Sequence, residues 1–148
     1  MNQPSRSSAS PLRGVSAQLD RFVHDRLPPP EQWPTLRYDL PELQFPPQLN
    51  LVDELLDKAP ARGFGQRPLL RSSRVTFSYE EVAERVNRIA QWLTEDMNLV
   101  SGNRVLLRGG NSVGMAPCWL AVVKAGMVAV ATMPLLRARE LGDIIDKA

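Results

Sequence analysis

The sequence contains one cysteine, Cys118, and one histidine, His24, among 148 residues. A single cysteine excludes an internal disulfide framework and any metal site built from several cysteines. A single histidine leaves no cluster that a second histidine could complete. Cys118 stands beside Trp119 in an apolar segment, so we expect a buried and inert thiol. For His24 a surface position is favoured over a catalytic role.

Clusters of positive charge are also missing. The isoelectric point is near 9.0, but the formal net charge is only +2, and acidic residues alternate with basic ones. A nucleic-acid surface needs grouped lysine and arginine, so no nucleic-acid partner is expected. The carboxylates of Glu80, Glu81 and Glu84 share a predicted helix face with Arg85 and Arg88. That spacing favours capping and ion pairs over paired acid–base catalysis.

No long hydrophobic run is present. The most apolar stretch, residues 115–136, is interrupted by Pro117, Lys124, Gly126 and Pro134. It is typical of a helix, a turn and a strand, and not of a membrane span. The start of the chain lacks an apolar core of the kind found in secretory signals. We therefore predict a cytoplasmic protein.

The first third of the chain is rich in proline. Residues 1–14 are predicted to form a disordered tail, because their Ser- and Pro-rich sequence has little to bury. Residues 15–49 are predicted to form an amino-terminal helix over 16–27 and a Pro-rich arm. Three prolines, 28–30, end the helix. The arm is predicted to be extended over 31–47, and its apolar side chains to contact a larger body: Trp33, Leu36, Tyr38, Leu40, Leu43 and Phe45.

Residues 50–148 are predicted to form an incomplete α/β subdomain that opens with a helix and a hairpin. Asn50 is a candidate cap for a helix that carries Leu51, Leu55 and Leu56 and ends near Pro60. Residues 68–72 and 74–77 are predicted to pair around Ser72 and Ser73. Ser78 and Glu81 have the spacing of a capping box, which predicts a helix running to about Met97.

A βαβα pattern follows. The apolar run 104–108 predicts a strand, and Asn111 or Ser112 is the candidate cap of the next helix. Gly126 is predicted to end that helix in a left-handed conformation. Residues 127–132 predict a second strand, parallel to the first, and 137–148 predict a last helix. These elements are too few to cover both faces of a parallel sheet, so we expect a truncated fold with an exposed sheet edge and self-association.

Three features of the sequence are candidates for ligand or catalytic sites. The loop Gly109–Gly114 lies between a strand and a helix, where amides can hold an anion, but no lysine follows it as in a phosphate-binding loop. The segment Gly63–Pro68 does not complete a dinucleotide motif. A tight turn is favoured for both. Lys124 is placed where a helix dipole stabilises a cation, so a structural role is favoured over catalysis.

The motifs, taken in order, resemble the beginning of the adenylate-forming superfamily. Residues 77–82 (FSYEEV) resemble its first core motif, and 101–105 (SGNRV) resemble GDRV with Asn103 in place of the usual aspartate. Residues 121–130 (AVVKAGMVAV) resemble the second core motif, although the following proline, Pro134, comes later than usual. Residues 131–141 (ATMPLLRAREL) and 27–34 (LPPPEQWP) are similar to 2-aminobenzoate-CoA and benzoate-CoA ligases.

The resemblance implies an AMP-forming acyl-CoA ligase that uses ATP, Mg²⁺ and CoA. The phosphate loop, the adenine and ribose motifs and the carboxy-terminal lysine of that family have no counterpart in this sequence. No catalytic, cofactor-binding or metal residue is therefore assigned, and no cofactor is expected for the 148-residue chain, which we expect to be inactive alone. The expected partner is the remainder of a ligase. The alternatives are another acyl-CoA synthetase of the same superfamily, or a non-catalytic α/β interaction module.

Overall fold

Two small sheets and three α-helices organise the part of the chain that the structure describes. The structure is a computed structural model, and it describes residues 16–35, 37–46 and 48–148. The predicted disordered tail, 1–14, lies outside the described residues, as do Leu36 and Pro47 of the arm.

The predicted hairpin is confirmed. Strand β1, Pro68–Arg71, pairs antiparallel with strand β2, Thr76–Ser78, and the register shifts between Pro68 and Leu70. The Ser72 amide donates a hydrogen bond to the carbonyl oxygen of Val75 at 2.8 Å and closes the turn. Because β2 ends at Ser78, the hairpin delivers the chain directly into the next helix.

The capping box at Ser78 is confirmed. The amide of Glu81 donates to the Ser78 hydroxyl at 3.2 Å, and the Ser78 amide donates to the Glu81 carboxylate at 2.8 Å. Helix α1, Tyr79–Gln91, begins there and continues as a π-helical turn, Trp92–Asp96. The predicted end near Met97 is therefore also confirmed.

Replacing Ser78 with alanine is expected to lower the free energy of unfolding by about 1 kcal/mol, because the first turn of α1 loses a hydrogen-bond acceptor. Urea denaturation followed by circular dichroism measures the change. Ser73→Ala in the exposed hairpin turn is the matched control and should change little. Equal stability of both variants would show that the capping box contributes nothing.

The predicted parallel unit is also confirmed. Strand β3, Arg104–Arg108, pairs in parallel with strand β4, Val128–Thr132, and helix α2, Met115–Lys124, connects them. Helix α3, Ala138–Lys147, follows β4. Gly126 has φ of 71°, the left-handed conformation expected after α2. The N-cap position of α2 is Gly114 and not Asn111 or Ser112, but the Ser112 hydroxyl does accept from the Met115 amide, the first of the helix, at 3.3 Å.

Helix α2 lies against α1 and also against the parallel strands. A short π-helical segment, Asp53–Asp57, precedes Pro60. One buried cluster joins this segment to α1 and α2, and contains Val52, Leu56, Val82, Val86, Leu120 and Ala121. A second cluster, Leu93, Val122 and Met127, is packed by Val105, Leu107 and Ala129 of the two strands. The Asn50 carboxamide accepts from the Val52 amide at 3.0 Å, which confirms Asn50 as the cap of the segment carrying Leu56.

The predicted helix over 16–27 is wrong. The structure has only a short 3-10 helix there, His24–Arg26. The Asp20 carboxylate accepts from the Phe22 amide at 2.9 Å, and the Asp20 amide donates to the Ser101 carbonyl at 2.9 Å. These bonds use groups that an α-helix would need, and an aspartate side chain that binds nearby amides competes with helix formation.

The arm after the three prolines contains two further 3-10 turns, Pro30–Gln32 and Pro41–Leu43. Four of its apolar side chains are exposed, Tyr38, Leu40 (60%), Leu43 and Phe45 (59%), whereas Trp33 is half-buried. Their predicted contact with a larger body stays a prediction. No helix in the described ranges combines the length and the hydrophobicity required to cross a bilayer.

Candidate functional site

The carboxyl ends of β3 and β4 are the places where α/β sheets commonly bind ligands. The loop Gly109–Gly114 leaves β3 and leads into α2. It is held by Ser112, whose carbonyl oxygen and hydroxyl both accept from the Met115 amide, at 3.1 and 3.3 Å. The loop is thus closed by its own hydrogen bonds, as the tight-turn interpretation requires.

Arg108 is the basic residue at this end of β3, and its guanidinium is directed to the loop after β4. It donates to the carbonyl oxygens of Pro134 at 2.7 Å and Leu136 at 3.0 Å. The Thr132 hydroxyl donates to the Leu107 carbonyl at 3.2 Å. Arg108 therefore fixes the loop after β4 in place.

The residues at this edge do not fit an ATP-phosphate or Mg²⁺ site. Loop residues 109–114 contain no lysine or carboxylate, and Arg108 is engaged with main-chain carbonyls. Within the described ranges, no three histidine, cysteine, aspartate or glutamate side chains lie together as metal ligands. No step of nucleotide chemistry is therefore assigned to these residues.

Lys124 lies in the last turn of α2 and is bound to a carboxylate. Its ammonium group donates to both carboxylate oxygens of Asp57, each at 2.7 Å. Its carbonyl oxygen accepts from the Asn50 side chain at 2.9 Å. Lys124 thus ties the end of α2 to the segment that precedes the hairpin, which is a structural use of the charge.

Neither Cys118 nor His24 belongs to a group of three or more histidine, cysteine, aspartate or glutamate side chains in the described ranges that could hold a metal ion. Cys118 is half-buried, so the prediction of a buried thiol is wrong. The thiol is on α2 one residue before Trp119, whose side chain is 37% exposed, and this side of the helix is incompletely covered. His24 is half-buried in the short 3-10 helix near the amino terminus.

The acidic side chains at the start of α1 border a polar cleft of about 390 Å³. Its lining is Gln66, Pro68, Thr76, Ser78, Glu80 and Glu81. Glu81 belongs to the capping box, Glu80 accepts a hydrogen bond from Gln66, and Glu84 forms an ion pair with Arg88. The predicted use in capping and ion pairing is confirmed for Glu81 and Glu84, whereas Glu80 is bound by Gln66 alone.

The structure also contains a polar cluster that the sequence reasoning missed. At the amino end of β3, Asp20 meets Asn103, which donates to its carboxylate at 2.8 Å, and Arg104, which forms an ion pair with it. The Arg104 guanidinium also stacks over the Phe22 ring at 4.2 Å. The only sequence signal was the asparagine at position 103, where the resemblance calls for aspartate.

Hydrogen bonds lower the pKa of Asp20 below its usual value. The Phe22 amide makes the largest contribution to this pKa shift, followed by the Asn103 side chain and by Arg104. A carboxylate whose pKa is depressed by folding stabilises the fold above its unfolded pKa, and loses this effect as the pH falls through the folded pKa. At neutral pH the Asp20 side chain is therefore ionised and accepts the hydrogen bonds from Phe22, Asn103 and Arg104.

We expect the stability difference between the wild-type chain and Asp20→Asn to shrink on acidification from about pH 7 to about pH 3, the lower end of the aspartate titration range. Urea denaturation of both chains at each pH measures the difference. Asp25→Asn, which alters an exposed carboxylate of the same segment, is the control. A difference that is the same at both pH values would contradict the assignment.

Comparison with known proteins identifies the family. The model of the AMP-binding enzyme family matches residues 57–148, which is more than half of the chain. The chain belongs to this family. The match begins within the segment that carries Asp57 and includes the hairpin, α1, α2 and the parallel strands.

A similar protein, the benzoate-CoA ligase of Thauera aromatica, is 27% identical over 96 residues, which covers 65% of this chain and 18% of the ligase. Many solved structures are similar, of which two illustrate the likeness. The NpsA N-terminal subdomain from Klebsiella oxytoca in complex with anthranilyl-AMSN gives a TM-score of 0.59 at 26% identity, covering 67% of this chain and 25% of that one. ATP-bound MatB from Rhodopseudomonas palustris gives a TM-score of 0.60 at 28% identity, covering 66% and 19%.

These likenesses confirm the predicted fold class. The chain has a mixed α/β fold that corresponds to part of the N-terminal subdomain of adenylate-forming enzymes. It spans about a fifth of the length of the AMP-binding relatives that it matches. The segment containing Asp20 lies before the region that the family model matches.

Proposed function

We propose that the chain is the amino-terminal portion of an AMP-forming ligase that joins an aromatic carboxylic acid, of the benzoate or 2-aminobenzoate type, to CoA. The observation that carries this proposal is the family match over 57–148, which includes every strand and α-helix of the described fold. Such a ligase acts in the cytoplasm and consumes ATP with Mg²⁺, releasing AMP and pyrophosphate.

The aromatic class is supported by two relatives and by the motifs. One relative is named a benzoate-CoA ligase, and one similar structure holds an anthranilyl ligand. The sequences of residues 131–141 and 27–34 are similar to the corresponding segments of aryl-CoA ligases. The first segment includes the loop between β4 and α3, and the second lies before the region that the family model matches.

In this proposal the chain contributes a scaffold. Helix α2 is fixed to the preceding segment by Lys124 and Asp57, and Arg108 fixes the loop after β4. The first contact lies toward the amino ends of the parallel strands, and the second holds their carboxyl edge, against which the remainder of the ligase would be placed. The catalytic groups come from that remainder, which is the expected partner of these residues.

The test is a thioester assay on the protein encoded by the whole reading frame that contains these residues. Benzoate, 2-aminobenzoate and hexanoate are offered separately with ATP, Mg²⁺ and CoA, and AMP and acyl-CoA are measured. The proposal predicts faster turnover with the two aromatic acids. Preference for hexanoate would remove the aromatic assignment but leave a ligase, whereas failure with every acid would contradict the ligase assignment.

We also propose that the isolated chain self-associates. Among the described residues β3 and β4 pair only with each other, so each has an outer edge without a strand partner. Leu106 on β3 is 37% exposed. Unpaired strand edges with apolar side chains favour pairing between chains. Light scattering should show a mass that rises with concentration, and a monomer at every concentration would contradict this.

A further inference from the structure

Residues 17–22, named the strap here, lie along the turn 100–104 that leads into β3. The Asp20 amide donates to the Ser101 carbonyl at 2.9 Å, and the Leu19 amide donates to the Ser101 hydroxyl at 3.0 Å. The same hydroxyl donates to the Ala17 carbonyl at 3.3 Å. The turn therefore binds the main chain of the strap on both sides of Leu19.

The Asp20 side chain is recognised by the same turn. Asn103 uses both ends of its carboxamide, because its oxygen accepts from the Val100 amide at 2.9 Å and its nitrogen donates to Asp20 at 2.8 Å. Arg104 adds an ion pair to the same carboxylate oxygen. An aspartate at position 103 would retain the bond from Val100 but could not donate to Asp20, and it would place two carboxylates together.

The backbone of the turn is shaped for close approach of the strap. Gly102 has φ of +90°, which side-chain-bearing residues rarely adopt, and a methyl group at its Cα would overlap with the carbonyl group of Asp20. The Gly102 amide donates to the Gly126 carbonyl at 2.9 Å, which links the turn to the end of α2. The strap thus lies on a surface formed before the amino ends of both parallel strands.

We propose that the turn 100–104 is a docking site for a segment that presents a carboxylate, that the strap is its occupant, and that Asn103 selects the strap by donating to Asp20. The strap precedes the family-matched region 57–148, whereas the turn is inside it. This inference concerns the fold alone and does not depend on the identity of the acid that the ligase uses.

Amide hydrogen exchange in the full chain tests the proposal, read at Leu19 and Asp20 with the α1 amides as an internal measure of folding. Asn103→Asp should accelerate exchange at these two amides about tenfold, the effect expected when a hydrogen bond to a charged group is lost. Adding Asp20→Asn to that variant reverses the donor and acceptor, and exchange should return to within about threefold of wild type, the sign of direct coupling.

Two variants complete the design. Asp25→Asn removes a carboxylate that pairs with Arg21 outside the strap–turn contact, and it should leave the two amides unchanged. Asp20→Asn alone should accelerate exchange at the Leu19 and Asp20 amides. This variant replaces Asn103→Asp as the test if Asn103→Asp also loses protection throughout α1, which would show that it unfolds more widely. Unchanged exchange in Asn103→Asp, or a double variant that exchanges as fast as Asn103→Asp alone, would overturn the proposal.

Discussion

Replacing Leu56 with alanine is expected to lower the free energy of unfolding by about 2–5 kcal/mol, the range for removing a large aliphatic side chain from a packed core. Leu56 is 1% exposed and belongs to the cluster that joins α1 and α2. Domains are stable by only about 5–15 kcal/mol, so the loss would be a large fraction of the total. Urea denaturation followed by circular dichroism provides the measurement.

Leu55 supplies the matched control, because it is the preceding residue, has the same side chain and is 39% exposed. Leu55→Ala should cost much less than Leu56→Ala, since little apolar surface is removed from the interior. If the two substitutions had equal effects, Leu56 would not be in a packed cluster, and the arrangement of α1 and α2 described above would be wrong.

Gly102→Ala is expected to have the second large effect, about 1–3 kcal/mol of destabilisation, the usual cost of forcing a side-chain-bearing residue into a sparsely populated backbone conformation. The residue has φ of +90°, and its new methyl group would displace the carbonyl group of Asp20. Faster amide exchange at Leu19 and Asp20 should accompany the lower urea midpoint. The strap should be released even where the rest of the fold survives.

Gly142→Ala is the control, and its expected change in the free energy of unfolding has the opposite sign. Gly142 is within α3, and nothing lies within 4 Å of the position that its Cβ would occupy. Alanine is favoured over glycine in a helix by about 1 kcal/mol, so this variant should be slightly more stable than wild type. Destabilisation by both alanines would mean that the position-specific clash at Gly102 is not the cause.

Local signals were sufficient for most of the fold. The capping pair Ser78 and Glu81 and the strand over 104–108 depend on neighbours in sequence, and the structure has them where the sequence predicted. The family motifs extend over the same part of the chain as the family match. The βαβα unit could be predicted because its strands and helices carry their own apolar patterns.

The errors fall where distant residues decide the local structure. The apolar spacing in 16–27 predicts a helix, but bonds from Asp20 and Leu19 to Ser101 hold this segment in another conformation. The half-buried state of Cys118 depends on how far other elements cover α2, which its neighbours in sequence do not encode. For the same reason the cluster of Asp20, Asn103 and Arg104 became visible only in three dimensions.

The measurement that tests the central claim most directly is acid-dependent exchange of labelled pyrophosphate into ATP by the purified 148-residue chain. Benzoate and 2-aminobenzoate are offered with Mg²⁺. The protein encoded by the whole reading frame serves as the positive control. We predict no exchange above the rate without protein, because the chain supplies a scaffold and not the groups that handle the nucleotide. Exchange that requires both the chain and an acid would contradict that account.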